Sequence, residues 1–264
     1  MSSHSLDDAR LAAQVAEEAG RLLLAVRAGG LVGQRLGDAG DFESNRLIQD
    51  RLGECRPDDM ILSEESPDDL RRLEADRVWI VDPLDGTREY RTPGRQDWAV
   101  HIALWERDVG IAVAAVSLPA QGKVFASDRV PDARSAHDGP RRLAVSDSRP
   151  QPVASAVAAA AGFDVVRMGS AGAKAMAVVE GTVDAYVHTG GQWEWDSAAP
   201  VGVAMSAGLH ASRVDGSTLV YNRATPYVDD LLICRAEQAA LLLGLLRGEV
   251  ASRRDEAHRL GSSE

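Results

Sequence analysis

The 264-residue sequence predicts a layered α/β fold in two lobes, and three observations carry that expectation. The chain opens with amphipathic helical spacing and then passes into short apolar runs of strand length. Beyond a polar stretch it alternates strand with helix, the pattern of sheets covered by crossover helices. Residues 5–30, SLDDARLAAQVAEEAGRLLLAVRAGG, place apolar side chains at 11, 15, 19, 22, 23 and 26, close to helical spacing. Ser5 is the expected N-cap and Gly29-Gly30 the stop. A second helix is expected over 42–55, with Asp41 at its N-cap and Pro57 closing the segment. The runs MIL (60–62) and RVWIV (77–81) read as buried strands, each leading into carboxylates. Between 98 and 127, WAVHIALWE, GIAVAAVSLP and GKVFAS predict a meander. The polar segment 127–142 marks the lobe boundary, giving an N-terminal α+β lobe over 1–137 and a C-terminal α/β lobe over 138–264. In that second lobe RLAVS, FDVVRMG, DAYVH, LHASRV and LLICRA read as strands. Helices are expected near 151–161, 171–180 and 196–207, and at the C-terminus.

Composition excludes several classes. Hydrophobic residues at 45% and charged residues at 26% are globular values. No run approaches the roughly 18 apolar residues of a membrane span, and the first residues lack a leader pattern, so a cytoplasmic protein is expected. A net charge of -11 repels a nucleic-acid backbone and an anionic membrane alike, and a small anionic substrate needs cations to help it in. Cys55 and Cys234 stand far apart without a CxxC, which argues for two buried thiols rather than a disulfide or zinc site.

The chemistry concentrates in VDPLDGTREY, residues 81–90. A strand delivers Asp82, Pro83 fixes the turn, and Asp85 returns three residues later, with the Leu84 carbonyl as a further oxygen. Gly86 and Thr87 then offer backbone N–H groups where a helix starts, a setting that favours phosphate. Hard oxygen donors without clustered His or Cys suit Mg²⁺ rather than zinc. Taken alone, the pair of acids is explained equally well by a capped helix beside a surface acid. Two other acidic places add weight: Glu64 and Glu65 in SEES, and Asp196 in WEWDSAA, although a solvated loop and a helix cap account for each by itself.

Together, SEES, WIVDPLDGT and WEWDSAA, in that order, resemble the inositol monophosphatase-like family of Mg²⁺-dependent, lithium-sensitive phosphatases, and GSAGAKAMAVVEGTVDAY (169–186) matches a further segment of it. The resemblance implies an αβαβα sandwich of the inositol monophosphatase and sugar phosphatase type, two or three Mg²⁺ ions, inhibition by Li⁺, and a homodimer. It implies one metal held by Glu64, Asp82 and the Leu84 carbonyl, and a second by Asp82, Asp85 and Asp196. Glu64 and Thr87 would orient the attacking water, with Asp82 as the shared catalytic ligand. Asp41 would support a third ion, but the chain reads GDAGD where the family carries a Pro-x-Thr before that acid, and an N-cap explains Asp41 equally well.

After DGT the chain continues Arg88-Glu89-Tyr90, which resembles the 3'(2'),5'-bisphosphate nucleotidases (CysQ type) of the family. That branch implies removal of the 3'-phosphate of adenosine 3',5'-bisphosphate, with its 5'-sulfated analogue as a further substrate, in sulfur assimilation. Gly86, Thr87, Arg88, Ser170, Lys174 and Asp196 are the expected substrate contacts, with Lys174 and Arg88 near a second phosphate. Tyr90, Trp193 and Trp195 are candidates to flank an adenine ring. Ser146 and Arg149 resemble a substrate loop, a polar strand cap being the plainer explanation. His101 reads as a core histidine, and His188 ends a strand near the GGQWEWD loop, where a substrate contact is the open alternative. Inositol 1-phosphate, fructose 1,6-bisphosphate and histidinol phosphate are the alternative substrates, and a catalytically silent binder is the alternative class. The haloacid-dehalogenase pattern Asp-x-Asp-Gly-Thr is one residue shorter and is set aside.

Overall fold

The computed structural model of the chain describes residues 3–261 apart from 131–132, 134–138 and 150, so the lobe boundary expected at 137/138 lies outside the described residues. In chain order the elements are α1 (Ser3–Ala28), α2 (Gly33–Cys55), β1 (Met60–Ser63), β2 (Arg77–Asp85), α3 (Thr87–Arg91), β3 (Ala99–Glu106), β4 (Gly110–Leu118) and β5 (Lys123–Ala126). There follow β6 (Arg142–Ser146), α4 (Pro152–Ala161), β7 (Asp164–Met168), α5 (Ala171–Val179), β8 (Ala185–Trp193), α6 (Glu194–Ser206), β9 (His210–Ser212), β10 (Tyr227–Cys234) and α7 (Ala239–Gly261).

The first sheet runs β1-β2-β3-β4-β5, with β1 parallel to β2 and the expected meander antiparallel. The second runs β7-β6-β8-β10-β9, with β6 parallel to both β7 and β8. Helices α1 and α2 cover one face of the first sheet, α5 and α6 fill the space between the sheets, and α4 packs with α7 on the outside. The result is the expected αβαβα sandwich.

The inner strands β2, β3 and β8 are buried on two faces, which is why they read as continuous apolar runs, whereas the edge strand β7 is largely exposed. Side chains alternate between faces along a strand. Trp79 and Val81 of β2 accordingly enter the first core with Val15, Leu23 and Ile48, while Val78 and Ile80 enter the middle core with Met176 and Val201. In β10, Leu231 and Ile233 face the middle core and Leu232 and Cys234 the outer one, with Val157 and Leu246. The middle helices are rich in small residues, so the sheets can approach them closely. At Gly202 a Cβ would lie 2.6 Å from the Ala114 Cβ.

Three local expectations are corrected. Helix α1 already runs at Ser3, so Ser5 lies inside it rather than at its N-cap. Helix α2 begins at Gly33, nine positions before the expected 42, which makes Asp41 an interior helix residue and not a cap. Gly37 and Gly40 weaken helix propensity in this stretch, but they let α3 press against α2. A Cβ on Gly37 would sit 2.9 Å from both Thr87 Cγ2 and Arg91 Cδ, and one on Gly40 would sit 2.8 Å from Tyr90 Cε1. Packing overrides propensity here. Of the two cysteines, Cys234 is buried as expected, whereas Cys55 is exposed at the end of α2.

Helix α2 offers an internal comparison. A Cβ on Gly53 would meet no atom within 4 Å, whereas Gly40 is crowded by Tyr90 and Leu84. Gly53→Ala should therefore stabilise the chain by up to about 1 kcal/mol through helix propensity. Gly40→Ala should lose about 1–3 kcal/mol to overpacking. Urea unfolding of the two variants checks the opposite signs.

Candidate active site

The site is built at the C-terminal end of β2. Its pairing with β3 slips between Asp82 and Asp85, and such a bulge re-aims the side chains that follow it. Two hydrogen bonds pin the turn: Ser44 Oγ of α2 donates to the Pro83 carbonyl at 2.7 Å, and the Leu84 N–H donates to Asp82 Oδ1 at 3.0 Å. Asp85 is gripped from the start of α5, where Ser170 Oγ and the Gly172 N–H (2.8 Å) both donate to its Oδ2. Asp196 occupies the third position of α6, which starts at Glu194 rather than at 196 as expected, and its Oδ2 accepts from the Trp193 N–H at 2.6 Å.

Asp82, Asp85 and Asp196 each offer an oxygen, and these atoms lie within 4.8 Å of one another. Glu64, in the turn after β1, faces the same cleft as Asp82. All four line one cleft of about 230 Å³, together with Gly86, Thr87, Arg88, Ser170 and Lys174. The expected ligand set is therefore brought together, from β1, β2 and α6. Oxygen-only donors of this density fit Mg²⁺, and no thiol is among them.

The electrostatics show the strain of that gathering. Burial, then the charges of Glu64 and Asp85, push Asp82 well above the usual carboxylate range. Burial and the Asp196 charge raise Glu64 to about 8, even though it opens on the mouth of the cleft. Asp196 rises to about 6 through burial and the Asp85 charge. Asp85 goes the other way: burial alone would raise it, but His101, Lys174 and the Ser170 hydroxyl outweigh that and hold it low.

The remaining expected residues divide. Thr87 Oγ1 stands 3.2 Å from the Leu84 carbonyl and 3.3 Å from Asp41 Oδ1, so Asp41 reaches the site through Thr87. Burial and the Glu65 charge raise Asp41 to about 7. Gly86 is left-handed, with φ 86°, at the start of α3, a helix of five residues whose dipole is small. Arg88 pairs with Glu89 and Asp147 at the rim. Lys174 is buried. Its ammonium donates to the Gly169 and Ser170 carbonyls at 2.5 and 2.7 Å, and burial lowers it to about 8. Ser170, with φ 28°, spends its hydroxyl on Asp85.

Tyr90 is corrected outright. It lies wholly in the first core, with its hydroxyl on the Leu23 carbonyl at 2.8 Å, and cannot flank a ligand ring. Trp193 is exposed and stacks on Trp195 with centroids 5.3 Å apart. Ser146, Arg149 and His188 line the cleft. Sequence reasoning missed the role of Arg95, Asp97 and Asp147, which tie the rim together: Arg95 Nη2 contacts Asp97 and Asp147, and Asp97 accepts from the Gly169 N–H. No local spacing signals such a link between segments more than 50 residues apart.

The profile of the Inositol monophosphatase family matches residues 9–249. The chain belongs to this family. It is 56% identical over 238 residues to the 3'-phosphoadenosine 5'-phosphate phosphatase of Mycobacterium tuberculosis, covering 87% of this chain and 89% of that one. It is 53% identical over 255 residues to the protein of the same name from Mycobacterium leprae, covering 92% and 94%. The crystal structure of CysQ from Bacteroides thetaiotaomicron, a bacterial member of the inositol monophosphatase family, superposes with a TM-score of 0.73 at 22% identity. It covers 87% of this chain and 97% of that one, a likeness of fold. Among the described residues no helix is long and apolar enough to cross a membrane.

Acids raised to about 8, 7 and 6 at Glu64, Asp41 and Asp196 mean that the folded chain binds protons the unfolded chain has released. Stability must then fall as pH rises from about 5 to about 8. In chelator the Tm should climb on acidification from about pH 8 to about pH 6, and millimolar Mg²⁺ should flatten that slope. Asp82→Asn, which removes a buried carboxylate crowded by Glu64 and Asp85, should raise the Tm in chelator at the alkaline end.

Proposed function

We propose that this protein is a Mg²⁺-dependent phosphomonoesterase that removes the 3'-phosphate of 3'-phosphoadenosine 5'-phosphate to leave AMP, its 5'-sulfated analogue being a second substrate. One observation carries the reading: the acid cluster that suits a divalent metal shares its cleft with Arg88, Arg149 and Lys174, three cations that suit a substrate bearing a second phosphate. The identity above 50% with two proteins named for that substrate supports it.

Asp82, Asp85, Asp196, Glu64 and the Leu84 carbonyl would hold the ions, with Asp41 behind Thr87 toward a third. Bound there, Mg²⁺ supplies charge neutralisation and a more acidic attacking water. Glu64, which lines the same cleft, would accept that water's proton through a carboxylate oxygen. Thr87 Oγ1, held between Asp41 and the Leu84 carbonyl, orients the water. The Gly86 and Thr87 N–H groups hold the phosphate being cleaved. Arg149, exposed at the rim with its guanidinium 3.4 Å from the Gly191 carbonyl, is available to the second phosphate. Lys174 adds positive charge while its bonds hold the Gly169–Ser170 turn. A homodimer, a cytoplasmic setting and inhibition by Li⁺ belong to the same reading and rest on the family likeness.

Phosphate release with Mg²⁺ from the adenosine bisphosphate, inositol 1-phosphate and fructose 1,6-bisphosphate at equal concentrations is the test. Preference for the nucleotide, abolished by chelator and reduced by lithium, is expected, and preference for either sugar phosphate refutes the substrate assignment. Asp82→Asn should fold and lose turnover to the detection limit. Sedimentation should give twice the chain mass.

A further inference from the structure

His101 is fully buried in the middle of β3, and its ring lies between two parts of the acidic centre. Nδ1 is 3.0 Å from the Trp195 carbonyl oxygen. A carbonyl only accepts, so Nδ1 carries the hydrogen and donates it. Nε2 is 3.2 Å from Asp85 Oδ2, off the line of a straight hydrogen bond, and among the described residues it has no other partner; a carboxylate only accepts, so the contact holds Asp85 through a hydrogen on Nε2. The ring therefore spans from the carboxylate that ends β2 to the peptide immediately preceding Asp196 in the first turn of α6.

The surroundings are shaped for this bridge. A Cβ on Gly172 would come 2.3 Å from His101 Nε2, so the first turn of α5 has to be bare where the ring passes. The same Gly172 donates its N–H to Asp85 Oδ2, as Ser170 Oγ does. Three groups thus converge on Oδ2 of Asp85, and Oδ1 takes no hydrogen bond among the described residues. Asp85 and Asp196 are 111 positions apart, counting from 85 to 196, and β3 lies between them in the sequence. A single side chain on the first sheet, that of His101, reaches both Asp85 and the peptide that leads into Asp196.

We propose that His101 is a positioning residue of the divalent-metal centre, fixing the orientation of Asp85 and the separation of Asp85 from Asp196. The proposal rests on the metal reading of the site. Partners of this kind, which hold a ligating carboxylate without touching the ion, change metal affinity by about 10–100-fold when removed. Asparagine in this place keeps an amide near Nδ1 and so the arm to Trp195. Glutamine places its amide near Nε2 and so keeps the arm to Asp85. Leucine fills similar volume with neither arm.

The test uses the full chain and measures Mn²⁺ binding by titration calorimetry without substrate, with Mg²⁺ as competitor. Mg²⁺ activation of phosphate release and the substrate KM at saturating Mg²⁺ are measured alongside. His101→Leu should weaken Mn²⁺ by about 10–100-fold and shift Mg²⁺ activation equally, with KM unchanged once metal saturates. His101→Asn and His101→Gln should each recover part of the loss. Wild-type Mn²⁺ affinity in a folded His101→Leu protein overturns the positioning role, as does a loss that His101→Asn and His101→Gln leave unrecovered. If His101→Leu does not fold, the Asn and Gln variants decide: affinity equal to wild type in both overturns the proposal, and a shared partial loss supports it. A wild-type chain that binds neither Mn²⁺ nor Mg²⁺ overturns the metal reading itself, a result distinct from the other two.

Discussion

Like charges held together out of water are the constraint on which the rest of this structure depends. Asp82, Asp85 and Asp196 bring oxygens within 4.8 Å of one another, with Glu64 beside them. Two unit charges about 4 Å apart repel by about 4 kcal/mol at an effective dielectric of about 20. The chain meets this unevenly. Asp85 receives a hydroxyl, a backbone N–H and a facing imidazole, and it stays acidic. Asp82 and Glu64 have mainly each other and are driven toward the protonated form, which a divalent cation reverses by taking the proton's place.

Holding such a cluster requires walls that do not relax, and the five layers provide them. Strand β2 is buried on both faces, so its end cannot shift without disturbing two cores at once. Facing it are the first turns of α5 and α6, where Ser170 caps one helix and Asp196 sits in the opening turn of the other. Acidic groups are favoured at helix N-termini, which offsets part of the repulsion. The small residues of these two helices serve the same end. Gly172 and Gly202 allow an approach to β3 and β4 that any side chain would block.

The rim is held differently, by exposed and half-exposed charges. Arg88 and Arg95 converge on Asp147, and Asp97 ties Arg95 to the Gly169 N–H. Ion pairs of this exposure contribute little to stability. They do place guanidinium groups at the mouth of a cleft in a chain of net charge -11, where an anionic substrate would otherwise meet repulsion.

What the sequence determined by itself was the part written in short-range pattern. Continuous apolar runs marked the doubly buried inner strands, and the motifs around Glu64, Asp82–Thr87 and Asp196 named the acids and their family, because a turn such as DPLDG encodes its geometry within a few residues. The tertiary structure alone decided what depends on contact between distant segments. The glycines before Asp41 fall outside the helix expected from 42 and are helix, with α3 packed on them. Tyr90 looked like a ligand contact and is core, because its place in α3 turns it toward Leu23. His101 looked like filler and touches Asp85, because β3 runs beside β2 and beneath α5 and α6. Helical or strand periodicity says which face a residue occupies; which element covers that face is set only when the layers close, through contacts that no local spacing records.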